Sequence, residues 1–305
     1  MQWVNPRHSP LITHVVTFPR KYATIWKNDR EAMPMFEGNV LDVIARRTSL
    51  RSYSKTPLRP EDRSRLEQIL VECAANPFGA QVRMPLLETA DTASRELGTY
   101  GIISGASLFM AGVVRHGEFD MEGLGFAMEL AILHATDMGL GTCWLAGTFD
   151  HAGFTAAAAG ENEMLPVVSP VGYPADKRTL RDSLMRSVAG SAARKPWDVL
   201  FFDGNPATPL TQEAAGSWAP ALEAVRLAPS ASNKQPWRVV RVGNNFHFFR
   251  PSSALGEIQR LDLGIAACHF QCAAQALSLP GAFATDRQPG GMPEDWLYCF
   301  TWAAA

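Results

Sequence analysis

Two long apolar stretches constrain this chain more than any other feature. Residues 124–138 and 261–277 are rich in Ala and Leu and closed by Gly139-Leu140-Gly141 and Pro280-Gly281. Each is too long for a strand and reads as a buried helix with a break behind it. They carry nearly the same four residues at or near their starts, Leu124-Gly125-Phe126-Ala127 and Leu263-Gly264-Ile265-Ala266. A shorter echo precedes each one's loop, Leu66-Glu67 in one case and Leu222-Glu223 in the other. Ala-rich helices resemble one another by composition alone, but here the order of elements around them repeats too. The pattern predicts a diverged internal duplication, and with only two copies it is no solenoid.

Periodicity fills in the elements. Helices are expected over 40–46, 61–75 (with Leu66, Ile69, Leu70 and Cys73 on one face) and 220–227. Strands are expected over 83–89, 106–115, 167–172 and 296–302. Residues 237–242 and 246–250 pair as a hairpin around Gly243-Asn244-Asn245. The small, polar stretch 187–196 reads as a linker. The chain is thus expected to be α+β, with an N-terminal extension (1–36), a first half (37–190) and a shorter second half (191–305). Before Asn39 there is little helical or strand period.

Composition excludes several classes. A net charge of -2 with no basic stretch gives nucleic acid no footprint. Apolar runs such as 102–114 are too short for a hydrocarbon layer of roughly 30 Å. Five cysteines are scattered; Cys268 and Cys272 flank His269 on a helix, but no further ligands follow at zinc-like spacing, so they read as buried packing. Free thiols, and residues 1–30 without an apolar signal core, point to the cytoplasm.

Four motifs carry chemistry. Arg47-Thr48-Ser49-Leu50-Arg51 sets two guanidiniums and two hydroxyls within reach of one phosphate, although an Arg-rich helix end is also ordinary solvated surface. The stretch Ala228-Pro229-Ser230-Ala231-Ser232-Asn233-Lys234-Gln235-Pro236-Trp237 is a rigid loop whose donors suit the edge of a polar heteroaromatic ring, or a well-made turn anchored by Trp237. Glycines on both sides of Thr142-Cys143-Trp144-Leu145 allow close backbone approach to a ligand, or simply cap a helix before a strand. Gly172-Tyr173-Pro174-Ala175-Asp176-Lys177-Arg178 puts two cations after a strand.

Together these motifs resemble the nitroreductase family of flavoproteins over roughly residues 40–277. The family's opening Arg-x-Ser-x-Arg/Lys is matched by Arg47, Ser49 and Arg51, with Tyr53 as the aromatic residue that follows. Its Pro-Ser-x-x-Asn-x-Gln-Pro-Trp loop is matched in full by Pro229, Ser230, Asn233, Gln235, Pro236 and Trp237. The resemblance implies a nitroreductase-like α+β fold, with central mixed or antiparallel sheets flanked by helices, and FMN as cofactor. Arg47, Thr48, Ser49 and Arg51, with Lys177 and Arg178, would hold its phosphate. Pro229, Ser230, Ala231, Ser232, Asn233 and Gln235 would position its ring. Backbone donors along Gly141, Thr142, Cys143, Trp144 and Leu145 would face its reactive edge.

One departure is informative. Ordinary members are homodimers whose two sites each combine the Arg motif of one subunit with the Pro-Ser-x-x-Asn loop of the other. Here the place of the first loop holds a degenerate Cys73-Ala74-Ala75-Asn76-Pro77-Phe78-Gly79-Ala80-Gln81, and no Arg motif precedes the intact second one. The resemblance then implies a monomer that mimics the homodimer, with one complete site between its halves. It also implies that NADH or NADPH reduces the flavin and that a small oxidised acceptor, such as a nitroaromatic or quinone, takes the electrons. The alternative is a flavin-binding or structural pseudo-dimer without turnover. Residues 115–125 are a candidate acceptor pocket, and His134 reads as a buried structural histidine.

Overall fold

Each half of the chain builds its own sheet and sends one long helix to the seam between them. The computed structural model describes residues 12–15, 33–89, 99, 102–175, 193–252 and 256–305. The first sheet comprises β1 (Ile12–Val15), β2 (Val82–Arg83), β3 (Leu86–Thr89), β4 (Leu108–Arg115), β5 (Gly141–Thr142) and β6 (Glu163–Gly172). Its order is β1-β3-β4-β6-β5, with β2 also beside β4, and every pair is antiparallel. The second sheet runs β11-β12-β10-β9-β7-β8. Its strands are β7 (Phe201–Asp203), β8 (Asn205–Pro209), β9 (Arg238–Val242), β10 (Asn245–Pro251), β11 (Gly281–Ala284) and β12 (Trp296–Ala304). Only β7 and β9 are parallel.

The helices are α1 (Val40–Arg46), α2 (Pro60–Glu72), α3 (Asp120–Asp137), α4 (His151–Ala158), α5 (Gln212–Ala215), α6 (Ala219–Leu227) and α7 (Gly256–Ala276). Helix α3 is buried on every side from Asp120 to Ala135, which is why its sequence is apolar all round rather than striped. It lies against its own sheet and against α7.

The α3–α7 contact is symmetric at the level of single atoms. A Cβ added to Gly125 would sit 2.1 Å from the carbonyl oxygen of Leu261, and one added to Gly264 would sit 2.0 Å from that of Glu122. Each obstructing carbonyl lies three residues before the partner glycine, so the two helices present the same surface to each other, as in a two-fold isologous interface. Arg260 reaches Glu122 before the glycines and His269 reaches Glu129 beyond them, so the helices run in the same direction. The duplicated Leu-Gly-x-Ala is thus the contact that joins the halves into an intramolecular pseudo-dimer. One continuous core takes side chains from both.

The elements expected from the sequence form, with instructive differences. Helix α3 begins at Asp120 rather than at residue 124. Asp120 and Glu122 interrupt the apolar pattern, yet both are buried, because Arg260 of α7 bonds Asp120 Oδ1 at 2.9 Å and Glu122 Oε2 at 2.8 Å. The expected strand 83–89 divides into β2 and β3 around Met84-Pro85, as a proline without an N–H requires. The N-terminal extension contributes β1, antiparallel to β3; edge pairing is made by backbone groups and leaves little pattern in side chains. Residues 176–192, where the halves were expected to divide, lie outside the described set.

Replacing Gly264 by Ala is expected to destabilise the protein by about 3 kcal/mol, since backbone rather than a flexible side chain must move. Gly147→Ala, with nothing within 4 Å of the new methyl, is the control and should change stability by less than about 0.5 kcal/mol. Urea unfolding of both variants measures the difference.

Candidate functional site

Arg47 closes α1, with its N–H on Val43 O at 3.0 Å, and the chain leaves the helix there (φ -58°, ψ 124°). The next residues are held extended between other segments. Ser49 is bridged to Thr142, Ser52 to Ser104 and Tyr53 to Pro174, and Leu50 N–H reaches Thr142 O at 2.8 Å. Extended backbone alternates its side chains, which puts Ser49 and Arg51 on one side and buried Leu50 on the other. Thr48 is exposed. Leu50 also accounts for Gly141, where a Cβ would sit 2.1 Å from Leu50 Cδ2.

The two arginines of the motif share one property. Arg47 is 8% exposed, and its Nε is buried without a hydrogen-bond partner; Arg51 Nε is buried and unpartnered as well. Among the described residues neither guanidinium donates a hydrogen bond. Arg47 has only a 3.6 Å ion pair, from Nε to Glu129 Oε1. A buried donor left unmade costs about 1–3 kcal/mol, more when charged, so such groups point to an absent acceptor.

Glu129, fully buried on α3, is a junction. Besides Arg47, its Oε2 accepts from Trp144 Nε1 at 2.6 Å and its Oε1 lies 2.9 Å from His269 Nε2 on α7. The other ring nitrogen of His269 lies 2.9 Å from Ala224 O on α6, the helix that leads into the Pro229 loop.

That loop is tightly specified. Ser230 is extended, residues 231–233 form a 3₁₀ turn, and Ser232, Asn233 and Gln235 all have positive φ (49°, 53° and 45°). Left-handed backbone at a non-glycine residue costs about 1 kcal/mol or more, so surrounding contacts must impose it. Gln235 N–H donates to Ser230 Oγ at 2.8 Å, Ala231 N–H donates to Asp262 Oδ1 at 2.9 Å, and Trp237 anchors the exit, fully buried.

Several expected donors are occupied within the protein. Cys143 N–H bonds Ser169 Oγ at 3.1 Å, Leu145 exchanges backbone bonds with Val168, and Gly141 and Thr142 pair with β6. Asn233 Nδ2 donates to Ala193 O at 2.9 Å, and Gln235 Oε1 accepts from Lys195 N–H at 2.8 Å. Residues 193–195 therefore lie as a strap across the loop. They add two cations that the linker reading passed over: Arg194 reaches Leu227 O at 3.1 Å and Asn233 Oδ1 at 3.4 Å, and Lys195 Nζ reaches Gln235 O at 3.3 Å. Burial, then the guanidiniums of Arg47 and Arg226, holds Arg194 below the ordinary arginine value. Arg47 of the first half thus stands beside the loop of the second. Lys177 and Arg178 lie outside the described residues.

The degenerate loop is packed into the core instead. Phe78, in the degenerate loop, packs its ring 4.9 Å from Phe300, 5.6 Å from Phe283 and 6.3 Å from Phe126. Gly123 abuts this loop, its would-be Cβ 2.3 Å from Ala80 Cβ, so residues 115–125 lead to the degenerate loop rather than to the intact one. His134 stacks on Phe36, ring centroids 4.0 Å apart, and burial lowers its pKa to about 4. All five cysteines are buried and none forms a disulfide. Among the described residues no cluster of three or more His, Cys, Asp or Glu could hold a metal, and no helix is long and apolar enough to cross a membrane.

Two sheets joined by a glycine-paired helix seam define a duplicated α+β architecture, with Arg47 of the first half close to Arg194 of the strap on the second half's loop. Residues 39–274 match the sequence model of the family described as "Putative TM nitroreductase", and the chain belongs to that nitroreductase family. A "putative nitroreductase" from Thermotoga maritima shares the fold, with TM-score 0.56 and 18% identity over 90% of this chain and 98% of its own. A nitroreductase with bound FMN from Bacteroides fragilis aligns at 19% identity and TM-score 0.38, over 47% of this chain and 92% of its own. An FMN-dependent nitroreductase from Clostridium difficile aligns at 14% and 0.38, over 45% and 88%. No curated protein matches the chain in sequence.

Asp262 supplies a pH test. Burial, against one loop N–H, raises its pKa to about 7, and its Oδ2 has no partner among the described residues. The folded protein keeps this proton up to about pH 7, whereas the unfolded chain releases it near pH 4, so this group's contribution to stability falls as pH rises through that window. Asp262→Asn, which can still accept from Ala231, is expected to raise the melting temperature by several degrees at pH 8 and to leave it nearly unchanged at pH 4. Equal shifts at both pH values in thermal melts would contradict this.

Proposed function

We propose that this protein is an FMN-dependent oxidoreductase with one flavin site, between the Arg47–Arg51 segment of the first half and the Pro229–Pro236 loop of the second. The observation that carries the reading is the pair of buried, unpartnered Nε atoms of Arg47 and Arg51, with Ser49 between them. Two guanidiniums and a hydroxyl on one short segment suit a phosphate dianion, which would satisfy donors that the protein leaves unmade. Arg194 adds a third guanidinium at the same place, supplied by the strap.

When bound, FMN supplies the redox chemistry, taking a hydride from NADH or NADPH and passing electrons to a small oxidised acceptor. The chain's own residues bind and orient. Arg47, Ser49 and Arg51 hold the phosphate, with Thr48 at its exposed side. The strained turn at Ser232 and Asn233 sets polar groups against the ring edge, and the strap covers the loop. Asn233 and Gln235 serve the ring only by exchanging their bonds to the strap. A single site is favoured because the Arg-x-Ser-x-Arg motif and the intact loop each occur once, while Phe78 of the degenerate loop packs against Phe283 and Phe300. The protein then works as a monomer in place of the family's homodimer, and in the cytoplasm, where its free thiols stay reduced.

Titration of the purified chain with FMN is expected to saturate at one equivalent and to quench flavin fluorescence. Arg51→Ala should weaken that binding at least tenfold. Anaerobic NADH or NADPH should then bleach the bound flavin. Absence of FMN binding sinks the flavin reading; binding without bleaching by either donor leaves a flavin-binding protein that does not turn over.

A further inference from the structure

We propose that Glu129 is a positioning residue of the cofactor site, a buried carboxylate that orients Arg47 toward the phosphate and ties the three cofactor motifs together. The inference rests on the flavin reading above. Arg47 belongs to the Arg-x-Ser-x-Arg segment, Trp144 to the glycine turn, and His269 holds the carbonyl of Ala224 on the helix that delivers the Pro229 loop. A single buried side chain therefore touches two motifs of the first half and, through one imidazole, the motif of the second.

Packing does not require a carboxylate there. The shift that superposes Gly125 on Gly264 places Cys268 opposite Glu129 and Leu130 opposite His269. In the other half the equivalent position is thus filled by a small thiol, whose sulfur lies 3.9 Å from that of Cys272 and which carries no arginine. A carboxylate taken out of water is strongly disfavoured unless partners surround it. Here it is retained only on the side where an arginine needs direction. The separation from Arg47 Nε, 3.6 Å, exceeds a hydrogen bond, so the pair orients the guanidinium by charge and leaves its N–H donors for an anion. Trp144 and His269, bonded at 2.6 and 2.9 Å, hold the carboxylate itself in place.

The test is a double-mutant cycle on FMN affinity, read by fluorescence quenching, with thermal melts alongside. Glu129→Gln is expected to weaken FMN binding about tenfold when Arg47 is present, and by less than about twofold in the Arg47→Ala background. A purely structural role would lower affinity by the same factor in both backgrounds, and that result, or no loss at all, overturns the proposal. Should Glu129→Gln fail to fold, His269→Leu serves instead, since the pseudo-symmetric position already accommodates Leu130. It removes one donor to Glu129 and must show the same dependence on Arg47; equal losses in the two backgrounds overturn the proposal. A wild-type chain that binds no FMN brings down the functional reading, and the inference with it, whereas FMN binding without coupling brings down the inference alone.

Discussion

The contact of two backbones at Gly125 and Gly264 governs the rest of the molecule. With no side chain at either position, α3 and α7 approach until each meets the other's carbonyls at Glu122 and Leu261. That distance brings the flanking side chains within bonding reach. On one flank Arg260 bridges the buried carboxylates of Asp120 and Glu122. On the other Glu129 and His269 meet, and α1 and α6 pack where Arg47 and the Pro229 loop emerge. A methyl group at the crossing would separate both flanks together, and interiors packed at crystal density have no slack to absorb it.

Symmetry of the scaffold contrasts with asymmetry of its chemistry. The shift that relates the glycines pairs Gly123 with Asp262, Glu129 with Cys268 and Leu130 with His269. Asp262 holds the intact loop by Ala231 N–H, whereas Gly123 leaves room for Asn76 and Ala80 of the degenerate one. Polar groups with demanding partners collect at one pseudo-equivalent place, and aromatic rings collect at the other.

Much of this was legible in the sequence because it depends on local pattern. The repeated Leu-Gly-x-Ala and the Pro229 loop are contiguous, and their residue types announce an internal duplication and a rigid turn, although that the repeated glycines make a close helix crossing emerges only from the fold. Groups that work only through distant partners were not legible. Asp120 and Glu122 look like the solvated start of a helix until Arg260, more than a hundred residues away, covers them. Arg194 and Lys195 sit in a stretch whose composition says linker, and only the fold lays them on Asn233 and Gln235. Glu129 lies in an apolar run without any motif, so nothing short of the packed structure singles it out. Gly141 shows a constraint no motif announces, since a Cβ there would strike Leu50 of the Arg47–Arg51 segment.

The aromatic plug around Phe78 has a consequence for how such a chain can change. In a symmetric dimer every substitution is made twice, once beside each ligand, so a bulky residue suited to closing one cavity would close both. Covalent joining removes that obligation. Phe78, Phe283 and Phe300 answer to the demands of packing alone, while the loop across the molecule stays answerable to the contacts that impose its positive φ values. One polypeptide thereby holds two regimes of tolerance, a plug free to drift in identity if its volume is kept and a turn in which even the backbone angles are prescribed.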